Sequence, residues 1–131
     1  MIIFKLTRSL SVAAQLDFSD LPILSQEGFD VVVCNRPDGE TIGQPTMDQF
    51  ESACMEVHMS FVRYPLTHMN FPGPDLSSMQ AIFDAPDKRV VAYCRSGTRC
   101  ANLWVASRPD EEKEFAIDLV RRIGFDLSMV L

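Results

Sequence analysis

The sequence predicts an α/β domain built on a central, mostly parallel β-sheet flanked by helices, and three observations carry that expectation. Short runs at Phe29 to Cys34 and Arg89 to Tyr93 are rich in valine and nearly all apolar, as strands covered on both faces must be. Between such runs lie segments with helical periodicity and capping residues at their starts. Loops rich in Gly and Pro follow the strands, and strands alternating with helices close through right-handed parallel crossovers.

The elements follow in order. Residues 2–6 and 10–14 carry short apolar patches suited to edge strands or a hairpin. Ser19 or Asp20 can cap a helix over 20–27, with Leu21 and Leu24 on one face and Gly28 at its end. Strand 29–34 runs into a breaker-rich loop, 35–45. Thr46 and Gln49 have capping-box spacing, and Phe50, Ala53, Cys54 and Val57 form the buried stripe of the helix they open. His58 at its end is placed to cap carbonyls. Ser60 to Leu66 is the next strand and 67–74 a second long loop. Asp75 or Ser77 caps a third helix facing inward through Leu76, Met79, Ile82 and Phe83. After strand 89–93 and a loop at 94–99, Ala101 to Ser107 reads as helix. Asp110 caps a last helix with Phe115, Leu119 and Ile123 inward, stopped by Gly124.

A chain of 131 residues, 47% hydrophobic and 23% charged, has the length of one domain, 1–131, and can bury a core without disulfides. Its formal charge of −6 gives no global attraction to nucleic acid or to an anionic membrane, so any anion site must be local. No apolar run reaches membrane-spanning length. The first eight residues carry their charges after the apolar ones and lack a small-residue cleavage pattern. The expectation is a cytoplasmic protein whose Cys34, Cys54, Cys94 and Cys100 are free thiols. No His, Cys, Asp or Glu spacing suits zinc, and neither a metal nor a cofactor is expected.

The chemistry concentrates in "YCRSGTRC", residues 93–100. A loop running from a buried strand into a helix aims backbone N–H groups at one point, and the helix start adds partial positive charge. Gly97 allows a positive φ there. Arg99 can fold back over the concavity and offer a planar fork to an oxyanion, with Arg95, Ser96, Thr98 and Cys100 completing the anion-binding loop. Such surroundings favour a thiolate, so Cys94 reads as a nucleophile. Arg36 and Asp38 have two readings, as pocket-rim residues that select an anion or as a salt-bridged turn.

Four blocks, Ser11 to Gln15, "GFDVVVCNRPDGETIGQP" at 28–45, "YCRSGTRC" and the ending "GFDLS" at 124–128, together resemble the bacterial beta-lactamase hydrolase-like, phosphatase-like domain family. The resemblance implies a fold similar to protein tyrosine and dual-specificity phosphatases, with Cys94 and Arg99 as the active-site pair. It also implies sulfur transfer as an activity, since members of that family are associated with sulfide oxidation, and a sulfide-oxidation partner protein. The loop departs from the tyrosine phosphatase pattern. Tyr93 replaces the preceding His, four residues rather than five separate Cys94 from Arg99, and Cys100 takes the hydroxyl position. That interval resembles the loop of rhodaneses.

Phosphomonoester hydrolysis needs a general acid, and loop 67–74 offers only His68. Sulfane-sulfur transfer needs less acid catalysis because its leaving groups are soft and weakly basic. The sequence reading is therefore a sulfurtransferase in which Cys94 carries a persulfide from and to small-molecule thiols. A cysteine phosphatase acting on phosphoesters is the first alternative, and a non-catalytic anion- or partner-binding module the second. Cys100 reads either as a resolving thiol or as a small first-turn residue.

Overall fold

The computed structural model describes residues 1–131. Five strands, β1 (Ile3–Lys5), β2 (Leu10–Ala13), β3 (Val31–Cys34), β4 (Ser60–Arg63) and β5 (Val90–Tyr93), form one sheet in the order β1-β2-β5-β3-β4. Only β1 runs antiparallel, in a hairpin with β2. The expected mostly parallel sheet between helices is thus present.

The helices are α1 (Asp20–Gln26), α2 (Met47–Glu56), α3 (Leu76–Phe83), α4 (Thr98–Ala106) and α5 (Asp110–Ile123). Two apolar clusters share the sheet. Val32, Cys34, Val91 and Tyr93 pack with Leu21, Leu24, Phe50 and Cys54 of α1 and α2. On the other face Leu10, Val12, Val33, Val90 and Ala92 pack with residues of α3, α4 and α5. Alternate strand residues feed opposite clusters, which is why β2, β3 and β5 are apolar at nearly every position.

Local signals explain most boundaries. Thr46 and Gln49 close a reciprocal capping box at the start of α2, and Asp75 accepts the Ser78 N–H at the start of α3. Gly28 and Gly124 take positive φ after α1 and at the end of α5. His58 also has positive φ, and its backbone N–H rather than its ring ends α2, by donating to Met55 O.

Of the two expectations for residues 2–6 and 10–14 the hairpin is the one realised, and within it only β1 is an edge: β2 lies between β1 and β5 with all four residues buried, and the other edge is β4. Two expectations need correction. Helix α4 begins three residues early, at Thr98, because Gly97 (φ 91°) turns the chain so tightly that helical geometry starts at once. In α5 the inward stripe is Ala116 and Val120, while Phe115 is 73% exposed. The stripe of larger residues, Phe115, Leu119 and Ile123, lies one position round the helix. Ala116 lets α5 approach the core closely, and only Leu119 and Ile123 of that stripe reach it.

Strand register places the site. Ala13, Tyr93, Cys34 and Arg63, the last residues of β2, β5, β3 and β4, lie side by side in one row. The loops leaving that row therefore converge at the carboxyl edge of the sheet, where ligands of open α/β sheets bind.

Candidate active site

Cys94 follows β5 directly and is 1% exposed. Its Sγ accepts the Gly97 N–H at 3.1 Å. The thiol is held down to about 5, first by a hydrogen bond from the Cys100 thiol and then by the backbone amides of Cys100, Ser96 and Arg99, against the opposing effect of burial. Two of those amides belong to the first turn of α4, whose N–H groups have no partner within the helix. Cys100 is fully buried, and burial together with its hydrogen bond to Cys94 pushes its own thiol well up, so it stays protonated and donates. Gly97 has a second reason to be glycine: a Cβ there would crowd Phe125.

Arg99 is anchored by Glu40. Its Nη1 donates to Glu40 Oε2 at 2.7 Å and to Leu66 O at 2.9 Å, and its Nη2 to Glu40 Oε1 at 2.8 Å. Of the five guanidinium donors these three bonds leave two, the Nε–H and one Nη2–H, which form a side-on fork for an oxyanion. Glu40 Oε1 also accepts Arg36 Nε at 3.0 Å. Arg36, expected at the pocket rim in one reading, is 4% exposed and lies beneath the site. Its other nitrogens donate to Gln15 Oε1 at 2.9 Å and Thr41 Oγ1 at 3.3 Å, so it holds the loop and Glu40 and offers nothing to a substrate. Asp38 is exposed and does not line the cavity; its Oδ1 accepts the Met47 N–H at the start of α2.

Glu40 is thus the hub of two guanidinium groups, and their hydrogen bonds, with that of Arg99 foremost, hold its carboxyl down to about 2 from an ordinary 4.5. A depressed carboxyl stabilises the fold fully above its unfolded value and loses that contribution as pH falls toward the folded one. Glu40→Gln is expected to cost about 1–2 kcal/mol at neutral pH, less than the full shift because solvent reaches one side of the carboxylate. Urea titrations of both proteins should show the deficit shrinking between pH 4.5 and pH 2; a deficit independent of pH would remove the ion pair as its cause.

Above the buried sulfur, Arg99 and its loop border a cavity of about 600 Å³ lined by Arg95, Ser96, Thr98, Arg99, Glu40, Thr67, His68, Asp126, Ser128 and Met129. Of the residues singled out in sequence, the structure brings Arg95, Ser96, Thr98, Arg99 and His68 to this wall. Gly97 and Cys100 sit under the loop, and Arg36 and Asp38 stand outside. The sequence reading missed Glu40, Gln15 and Asp126, although each lies in one of the blocks that carry the family resemblance. Asn35 was missed too. Fully buried, it donates its side-chain amide to Tyr64 O and its N–H to Tyr93 O, joining the ends of β3, β4 and β5. No group of three or more metal-ligating side chains comes together, and no helix is long and apolar enough to cross a membrane.

A cysteine–arginine loop between the central strand of such a sheet and a buried helix defines a domain of the protein tyrosine and dual-specificity phosphatase type. The chain belongs to the family described as beta-lactamase hydrolase-like protein, phosphatase-like domain, whose model matches residues 3–111. A beta-lactamase hydrolase-like protein of Agrobacterium fabrum is 29% identical over 126 residues, which is 94% of this chain and 29% of that protein. The chain spans about three tenths of the length of the curated relatives it matches. Among solved structures, a phosphatase-assigned protein of Neisseria meningitidis superposes with a TM-score of 0.77 at 29% identity, over 97% of this chain and 92% of its own. A kinase-associated phosphatase carrying serine in place of its catalytic-site cysteine matches at 0.69 and 12% identity, over 98% and 84%. That likeness speaks for the fold alone.

Proposed function

We propose that residues 1–131 act as a cysteine-dependent phosphatase on phosphomonoesters. This reverses the order of the sequence reading, which put sulfur transfer first, because the relatives and structural neighbours are phosphatase-like and none bears on sulfur. The observation that carries it is the pairing of a thiolate held at about 5 with an arginine fork preset by Glu40. The Cys94 thiolate attacks phosphorus, an S–P bond forms as the P–O bond to the alcohol breaks, and the departing alkoxide takes a proton. Water then attacks phosphorus, the S–P bond breaks, and the thiolate and inorganic phosphate are released. Loop amides and the Arg99 fork face the equatorial oxygens, where charge develops in both steps. His68 on the cavity wall is the candidate proton donor to the alkoxide, since Glu40 is tied to both arginines.

Two observations favour sulfane-sulfur transfer as a second reading: only four residues separate Cys94 from Arg99, and the Cys100 thiol hydrogen-bonds to Cys94. A binding module without chemistry is disfavoured by the depressed Cys94 thiol, which mere scaffolding does not require. Acid-quenched protein incubated with p-nitrophenyl phosphate should show a phosphoryl adduct on the Cys94 peptide by mass. An added sulfur after thiosulfate or glutathione persulfide, removable by a thiol, with no phosphoryl adduct, would replace this reading by the second.

A further inference from the structure

The cavity wall away from Arg99 is the part that the phosphatase reading leaves unexplained. Ser128 and Asp126 come from the turn after α5, and Thr98 from the first turn of α4. Met129 is the one apolar residue on the whole wall, and no phenylalanine, tyrosine or tryptophan lines it. Phe125, beside Asp126 in sequence, packs against Gly97 and edge-on against Phe4 at 5.2 Å and does not line the wall. A phenyl ring entering here would desolvate a carboxylate and several hydroxyls without replacing their hydrogen bonds, and that is unfavourable.

The turn carrying Asp126 is fixed to the phosphate loop's own helix. Asn102, fully buried, donates its side-chain amide both to Thr98 O and to Asp126 O, each at 2.8 Å. Asp126 Oδ1 accepts the Ser128 N–H at 2.6 Å, the Ser128 hydroxyl lies against the same carboxylate, and the carboxylate, exposed on the cavity wall, keeps further lone pairs for a ligand. Hydrogen bonds from Ser128 keep its carboxyl below the ordinary range, so at neutral pH it is a fixed anionic acceptor within a cavity that also holds Arg95 and Arg99. An acceptor beside a phosphate cradle is matched by a donor on the substrate, and the neighbouring Thr98 and Ser128 hydroxyls both donate and accept. A cavity of about 600 Å³ holds a small molecule of that kind.

We infer, resting on the phosphatase reading, that the site takes the phosphomonoester of a small polyhydroxylated alcohol. Arg99 and the loop amides hold the phosphate, and Asp126, with Ser128 and Thr98, holds the hydroxyl groups. The phosphate of an aromatic alcohol is the class it discriminates against.

The experiment compares kcat/KM for glucose-6-phosphate, phosphotyrosine and p-nitrophenyl phosphate in the wild type and in Asp126→Asn, with Cys94→Ser as the background. Glucose-6-phosphate is expected to exceed phosphotyrosine by about tenfold or more, since a site built to bind hydroxyls rejects a ligand lacking them. Asp126→Asn should cut that ratio by about tenfold, mainly through KM for the polyol. Preference for phosphotyrosine, or a ratio that Asp126→Asn leaves unchanged, overturns the substrate class while the Cys94-dependent phosphatase stands. Turnover of p-nitrophenyl phosphate alone does the same. No Cys94-dependent phosphate release from any of the three overturns the phosphatase reading and this inference with it.

Discussion

Cys94→Ser is expected to lower phosphate release from p-nitrophenyl phosphate by more than about 10⁴-fold, because the step it removes is bond formation itself. Serine is nearly isosteric and can accept the Gly97 N–H in the same place, so the fold and the cradle persist. What changes is ionisation: the loop amides and the Cys100 thiol bring a thiol down to about 5, whereas a hydroxyl starts far too high to ionise near neutrality. In the wild type kcat/KM should rise with pH through about 5 as the thiolate forms. The serine variant should still bind inorganic phosphate. Residual turnover in it approaching that of the wild type would show that Cys94 is not the nucleophile.

Arg99→Ala is expected to cost about 10³-fold, at the upper end of what one oxyanion donor contributes, because it removes a charged two-donor fork. The loss should fall on kcat more than on KM, since the fork faces charge that develops at phosphorus in the transition state. Arg99→Lys should recover little of it. A lysine keeps the charge but cannot hold both Glu40 oxygens and Leu66 O while presenting two further donors. Equal activity of the lysine variant and the wild type would mean that bulk charge, not the preset fork, is what the site uses. Steady-state kinetics on all three proteins decide the matter.

The two residues behind these predictions were legible in the sequence because their neighbourhood is contiguous. A strand end, a glycine and the start of a helix follow one another within a few residues, and the geometry of such a junction is local. The strands were legible for a similar reason, as burial on both faces leaves few polar positions in β3 and β5. The face of α5 was not, because its periodicity fits two adjacent stripes and residue size favours the wrong one. Glu40 and Asp126 were hidden by topology. Glu40 meets Arg99 across 59 positions of sequence, and Asp126 is brought to the cavity by a buried asparagine on another helix. Arg36 left two readings open because its place in a loop is compatible with exposure or with a salt-bridged turn; the structure matches the turn, with Glu40, Gln15 and Thr41 together satisfying it inside.

The level row formed by Ala13, Tyr93, Cys34 and Arg63 makes the cradle and its platform separable. The loop is still tied to that platform at its start, where the Cys94 N–H donates to Ala13 O and Arg95 O accepts the Gln15 N–H, so a residue added or removed between Ser96 and Arg99 changes the span of the amide ring without shifting a rung of the ladder beneath. The four-residue interval is then a property of the loop alone. Chains sharing this platform can differ in the size of oxyanion they grip while keeping the same interior, and the breadth of chemistry open to such a scaffold is set at its rim.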